Sequence, residues 1–128
     1  MPSSSPVKVF LAEDSAPIRQ RVAANLAHQG MTVVGEGDTP SACISGILAS
    51  RPDVVVLDIH LEGGTGLQVL RGVRDRDAHP AFVVFSNTAG PAYRRRYLAE
   101  GASAFVDKNS ELEQLALAVQ AASHHAVH

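Results

Sequence analysis

Cysteine occurs once in the 128 residues, at Cys43, tryptophan is missing, and aromatic side chains make up only 5% of the chain. A lone thiol excludes an internal disulfide and suits a reducing cytoplasm, which is the expected location. No apolar run comes near the roughly 20 residues that cross a bilayer, so no membrane partner is expected. A formal net charge of −2 leaves no basic footprint for nucleic acid; any DNA contact would come from another domain or chain. The first apolar run is not followed by GxGxxG, which argues against a dinucleotide-binding crossover. Repeats, low-complexity tracts and linkers are also lacking. The chain therefore reads as one domain over residues 7–122, with a polar, disordered leader (1–6) and a short tail (123–128).

What is present is a regular alternation of apolar runs and helix-period segments. Val7–Ala12, Met31–Glu36, Val54–Leu57, Ala81–Phe85 and Ala104–Val106 read as strands. The unbroken Val54–Leu57 run suits a strand buried on both faces. Between the strands, Ser15 can cap a helix ending at Gly30, Thr39 or Ser41 one closing before Pro52, and Leu67, Val69, Leu70 and Val73 suit a third, followed by the polar DRDAHP segment. Pro91–Glu100 and Ser110–Ala122 complete the set. Five strands alternating with five helices imply an α/β fold, a doubly wound parallel sheet covered on both faces.

The polar residues fall where such a sheet puts its chemistry. In an open parallel sheet, ligands bind beyond the carboxyl ends of the strands. Four of the five strands end in Glu13-Asp14, Asp58, Ser86 and Lys108, so one rim collects three carboxylates, a hydroxyl and an ammonium. Asp58 alone reads equally well as a cap for its loop; the four ends together are harder to explain singly. Close carboxylates repel by about 4 kcal/mol per pair at an effective dielectric near 20, so they ionise together only beside a cation. Hard oxygen ligands select Mg²⁺, with Mn²⁺ as the alternative. Asp58 can then attack phosphorus to form an aspartyl phosphate, with Lys108 and Ser86 holding phosphoryl oxygens.

The acidic pair in VFLAEDS, the aspartate in VVVLDIH, the hydroxyl in VVFSN and the lysine in GASAFVDK together resemble the receiver domain of two-component response regulators, from about Val7 to Ala122. The resemblance implies a flavodoxin-like (βα)5 fold and phosphorylation of Asp58 by a sensor histidine kinase or phosphotransfer protein. It also implies that Asp14 binds Mg²⁺ directly, Glu13 mainly through water, and His60 through its backbone carbonyl. Phe105 falls where the family places an aromatic that changes rotamer on activation; an ordinary core Phe is the other reading. The chain departs from the family's usual pattern at Glu13, at Glu62-Gly63-Gly64, where a more flexible loop is expected, and at Asn87 and Asn109, which can narrow access for a phosphodonor.

A phosphorylation-controlled switch that is not an enzyme with external turnover is the leading function. A phosphorylation-independent interaction module is the alternative. An aspartyl-nucleophile phosphatase is disfavoured, since the position two residues after Asp58 holds His60 instead of a second acid. The His60 side chain is expected at the pocket mouth, with Thr88 opposite, tuning the phosphate lifetime. Arg94, Arg95 and Arg96 form either a solvated helix face or, with Phe105 and Tyr93 or Tyr97, a surface for an output domain, a partner or a homodimer.

Overall fold

The apolar runs pair into one parallel sheet in the computed structural model, which describes residues 5–76, 79–87 and 90–126. In chain order the elements are β1 (Lys8–Ala12), α1 (Ala16–His28), β2 (Thr32–Gly37), α2 (Pro40–Ser50), β3 (Val54–Leu57), β4 (His60–Leu61), β5 (Gly64–Thr65), α3 (Gly66–Arg74), β6 (Ala81–Ser86), α4 (Pro91–Ala99), β7 (Ala104–Asp107) and α5 (Leu112–Ala126). Five of the strands form the main sheet in the order β2-β1-β3-β6-β7, with every neighbouring pair parallel. Parallel neighbours need crossovers, and the helices supply them on both faces.

Alternation along each strand sorts the core into two layers. Val9, Leu11, Val54, Val56, Val83 and Phe85 point to the side covered by Val22 and Leu26 of α1 and Leu115, Val119 and Ala122 of α5. Phe10, Ala12, Val55, Leu57, Phe82 and Val84 point to the other side, against Cys43 and Ile47 of α2, Val69, Leu70 and Val73 of α3, and Tyr97 of α4. Each fully buried Val, Leu, Ile or Phe contributes about 1.5–3 kcal/mol, so the double layer is the main source of stability. β3 lies at the centre, with all four residues buried. Phe10 seats its ring between two glycines: a Cβ on Gly35 would approach it to 2.9 Å and one on Gly46 to 2.6 Å.

Local signals explain the helix ends. The Ser15 hydroxyl accepts from the Ile18 N–H at 3.4 Å, and Pro17 sits in the first turn of α1. Of the two candidate caps for α2, Thr39 is the one used, accepting from the Ala42 N–H at 3.2 Å. The helix closes on Arg51 in the left-handed region at φ 48°, a C-terminal cap whose N–H donates to the Ile47 carbonyl at 2.9 Å, directly before Pro52. Thr65 and Gln68 form a reciprocal capping box on α3.

Two segments differ from the sequence expectation. The Glu62-Gly63-Gly64 stretch, expected as a loop, closes a two-residue antiparallel ribbon in which His60 pairs with Thr65 and Leu61 with Gly64. Gly63 makes the reversal possible at φ +77°. The last helix begins at Leu112 instead of Ser110, and it runs through Ala126, so residues 123–126 of the expected tail are helical. Burial continues one residue past the expected end: Ser123 lies against the core, and its hydroxyl donates to the Gln120 carbonyl at 2.7 Å. Residues 1–4 of the expected leader, Asp77 and Ala78 of the polar segment, Thr88, and the final two residues of the tail lie outside the described residues.

Candidate functional site

Register brings the sequence-distant polar residues to one edge. Ala12 pairs with Leu57, Leu57 with Val84, and Ser86 with Asp107, so the residues that follow these pairs emerge side by side. Backbone hydrogen bonds continue past the strands: the Asp58 N–H donates to the Ala12 carbonyl at 2.9 Å, and the Lys108 N–H to the Ser86 carbonyl at 3.0 Å. Glu13, Asp58 and Ser86 are buried, whereas Asp14 is exposed. With Asp14, His60, Asn87 and Lys108 they line an open depression of about 290 Å³.

Lys108 holds the site together. Its Nζ lies 2.6 Å from Glu13 Oε1 and 2.9 Å from Asp58 Oδ2, with both partners largely shielded from water. Burial alone would lower the pKa of this ammonium; the hydrogen bonds to Glu13 and Asp58 reverse that and leave it above the usual lysine value. Lys108 is therefore charged throughout the physiological range. Glu13 is shifted upward, because burial outweighs its bonds to Lys108 and to the Ser15 N–H, and the Asp58 charge adds to the rise. Two acids share one cation here, so neither is fully compensated.

The acidic loop after β1 is itself anchored. The second oxygen of Glu13 accepts from the Ser15 N–H at 3.0 Å, and the Arg19 guanidinium donates to the Glu13 carbonyl at 2.6 Å while pairing with Glu36 at 3.1 Å. Carboxylate oxygens of Glu13, Asp14 and Asp58 all fall within 4.8 Å of one another. Three hard anionic oxygens, one of them on an exposed residue, form a donor set that fits a small divalent cation such as Mg²⁺.

The model of the family described as the response regulator receiver domain matches residues 9–120. The chain belongs to this family. Among curated proteins, this receiver is 28% identical to the transcriptional regulatory protein DesR of Bacillus subtilis, over 89% of the chain and 57% of the relative. It is 32% identical to the transcriptional regulatory protein NarL of Mycobacterium tuberculosis, over 92% of the chain and 55% of the relative. The receiver thus spans a little over half the length of these relatives. The solved structure of the NarL receiver domain from the same organism superposes with a TM-score of 0.89 and 30% identity, covering 94% of this chain and 98% of that one.

The remaining predicted residues are spread around this receiver. The His60 side chain is exposed and meets the Tyr93 ring edge-on, with centroids 6.4 Å apart. Arg94 and Arg95 are exposed on α4, and the Arg94 guanidinium reaches the Phe105 carbonyl at 3.5 Å. Phe105 is half-buried and packs against the core layer beneath α2, α3 and α4. Tyr97 corrects an expectation: it is 1% exposed, so it belongs to the core and not to the outer surface of α4. The spacing of Tyr93 and Tyr97 in AYRRRYLA carries no sign of which ring turns inward. Nor does any sequence signal announce that the Tyr97 hydroxyl accepts from the Leu67 N–H at 3.1 Å. Among the described residues, no helix is long and apolar enough to cross a membrane.

Proposed function

We propose that the chain is a phosphoacceptor receiver of a two-component system, switched by Mg²⁺-dependent phosphorylation of Asp58 from a histidine kinase or phosphotransfer protein. The observation that carries this reading is Lys108 Nζ, held 2.9 Å from Asp58 Oδ2 at the carboxyl edge of a receiver sheet. An Asp58 oxygen attacks the phosphorus of a phosphohistidine, the P–N bond breaks, and the imidazole leaves. Lys108 passes from the Asp58 carboxylate to a phosphoryl oxygen, and the Ser86 hydroxyl donates to another. Glu13, Asp14, Asp58 and the His60 carbonyl would hold Mg²⁺, which when bound offsets the negative charge gathered at the reacting phosphoryl group.

The chemistry is confined to the protein's own phosphorylation and dephosphorylation, so it is a switch and not an enzyme acting on an external substrate. It works in the cytoplasm, where its phosphodonor is found. Arg94, Arg95 and Phe105 form the surface read by an output domain, a partner or a second copy of the chain.

Intact-mass measurement after incubation with Mg²⁺ and a small phosphodonor tests the reading. One metal-dependent phosphoryl adduct is expected for the wild type and none for Asp58→Asn. No wild-type adduct, together with no response to beryllofluoride, would favour a phosphorylation-independent interaction module instead.

A further inference from the structure

The segment that follows the acceptor is tightly packed where it enters α3. The Gly66 N–H donates to the Ile59 carbonyl at 2.8 Å. A Cβ on Gly66 would run into the Asp58 carbonyl oxygen and would come within 3.1 Å of Leu57 Cγ and 3.2 Å of the Tyr97 hydroxyl. The acceptor's own backbone, the start of α3 and a side chain of α4 therefore meet at one close-packed point. The next N–H, that of Leu67, donates to the Tyr97 hydroxyl at 3.1 Å.

That hydroxyl is well placed to be a fixed tie. Tyr97 is 1% exposed, and burial above all pushes its phenol up to about 12, so at neutral pH it is an uncharged acceptor. Removing it would leave a part-buried backbone donor without its acceptor. The helix it belongs to carries the exposed Arg94, Arg95 and Arg96 and is joined to β7 through Arg94 and the Phe105 carbonyl. A second link between α3 and α4 joins the last turn of α3 to the residue that ends α4, one turn beyond Tyr97, where Arg71 and Arg74 bind Glu100 at 2.8 and 3.2 Å.

We propose that Tyr97 is a positioning residue that transmits the state of the Asp58 loop to α4 through its bond to the Leu67 N–H. The inference rests on the phosphoacceptor reading above. Phosphorylation turns the Asp58 carboxylate into an acyl phosphate carrying a total charge of up to about −2, which draws in Lys108 and Ser86. Because the Asp58 carbonyl abuts Gly66, a shift of the acceptor backbone displaces Leu67. The tie then either carries α4 along or breaks. Both outcomes change the surface that holds Arg94 and Arg95.

The test compares wild type, Tyr97→Phe and Glu100→Gln, each with Mg²⁺ alone and with Mg²⁺ and beryllofluoride, by hydrogen exchange of peptides covering α4; Asp58 phosphorylation is followed in parallel by intact mass. In the wild type, exchange in α4 is expected to change by about fivefold or more, the lower end of a typical coupling between sites. Tyr97→Phe is expected to be phosphorylated like wild type yet to lose that response, whereas Glu100→Gln keeps it. A wild-type response in Tyr97→Phe, its equal loss in Glu100→Gln, or the absence of any α4 response in a wild type that does form the adduct would each overturn the inference alone. Failure of Tyr97→Phe to take up phosphoryl would also overturn it, since the tie would then serve the site and not the relay. Absence of the wild-type adduct would bring down the phosphoacceptor reading and the inference with it.

Discussion

Replacing Lys108 with methionine removes the cation shared by Glu13 and Asp58 while keeping most of the stem that packs at the site. The carboxylate oxygens of those two residues lie within 4.8 Å of each other, which corresponds to a repulsion of about 3.5 kcal/mol at an effective dielectric near 20. Lys108→Met is therefore expected to lose about 3 kcal/mol at pH 7.5 without divalent metal, in line with breaking one side of a buried ion pair. In the variant, at least one carboxyl has a folded-state pKa above its unfolded value. Its stabilising contribution is then fully present at low pH and is lost as pH rises through the folded pKa. Lowering the pH from 7.5 toward 5 should narrow the gap to wild type, and added Mg²⁺ should narrow it by supplying a replacement cation. Urea denaturation monitored by circular dichroism reads both effects. A gap below about 1 kcal/mol at pH 7.5, or one that ignores both pH and Mg²⁺, would refute the electrostatic account of the site.

Three other outcomes follow from the geometry. Gly66→Ala forces a Cβ against the Asp58 carbonyl oxygen, so it should cost about 2–3 kcal/mol in urea denaturation and slow Asp58 phosphorylation; wild-type values for both would show that the close approach is easily relaxed. Cys43 is fully buried, and burial pushes its thiol up to about 12, so iodoacetamide at pH 8 should leave the folded chain unmodified by mass and label it fully in urea. Arg71 in first place, with Arg74, holds the Glu100 carboxyl near pKa 2, below its unfolded value of 4.5. The stability this gives is present above pH 4.5 and lost as pH falls toward 2, so any difference between wild type and Glu100→Gln should shrink across that window; a difference independent of pH would sink the assignment.

The order of strands and helices, the two-sided burial of Val54–Leu57 and the helix starts at Ser15 and Pro91 were all legible in the residues, because each depends on periodicity or capping over a few positions. So was the gathering of the rim residues: parallel strands send their carboxyl ends to one edge, and Glu13, Asp14, Asp58, Ser86 and Lys108 are among the polar residues that line the depression there. That the buried face of α5 extends past Ala122 to Ser123 is something no local pattern announces. Folding of the Glu62-Gly63-Gly64 loop into a ribbon likewise depends on pairing between residues that have weak strand signals. Tertiary structure also decided how the rim is wired. Lys108 reaches Asp58 across a sequence separation of 50 residues, and Tyr97 meets Leu67 across 30. Local chemistry decides which segments become strands and helices. Which oxygen a given ammonium or backbone N–H meets is decided only when register and close packing bring distant segments to within about 3 Å, the range over which a hydrogen bond acts.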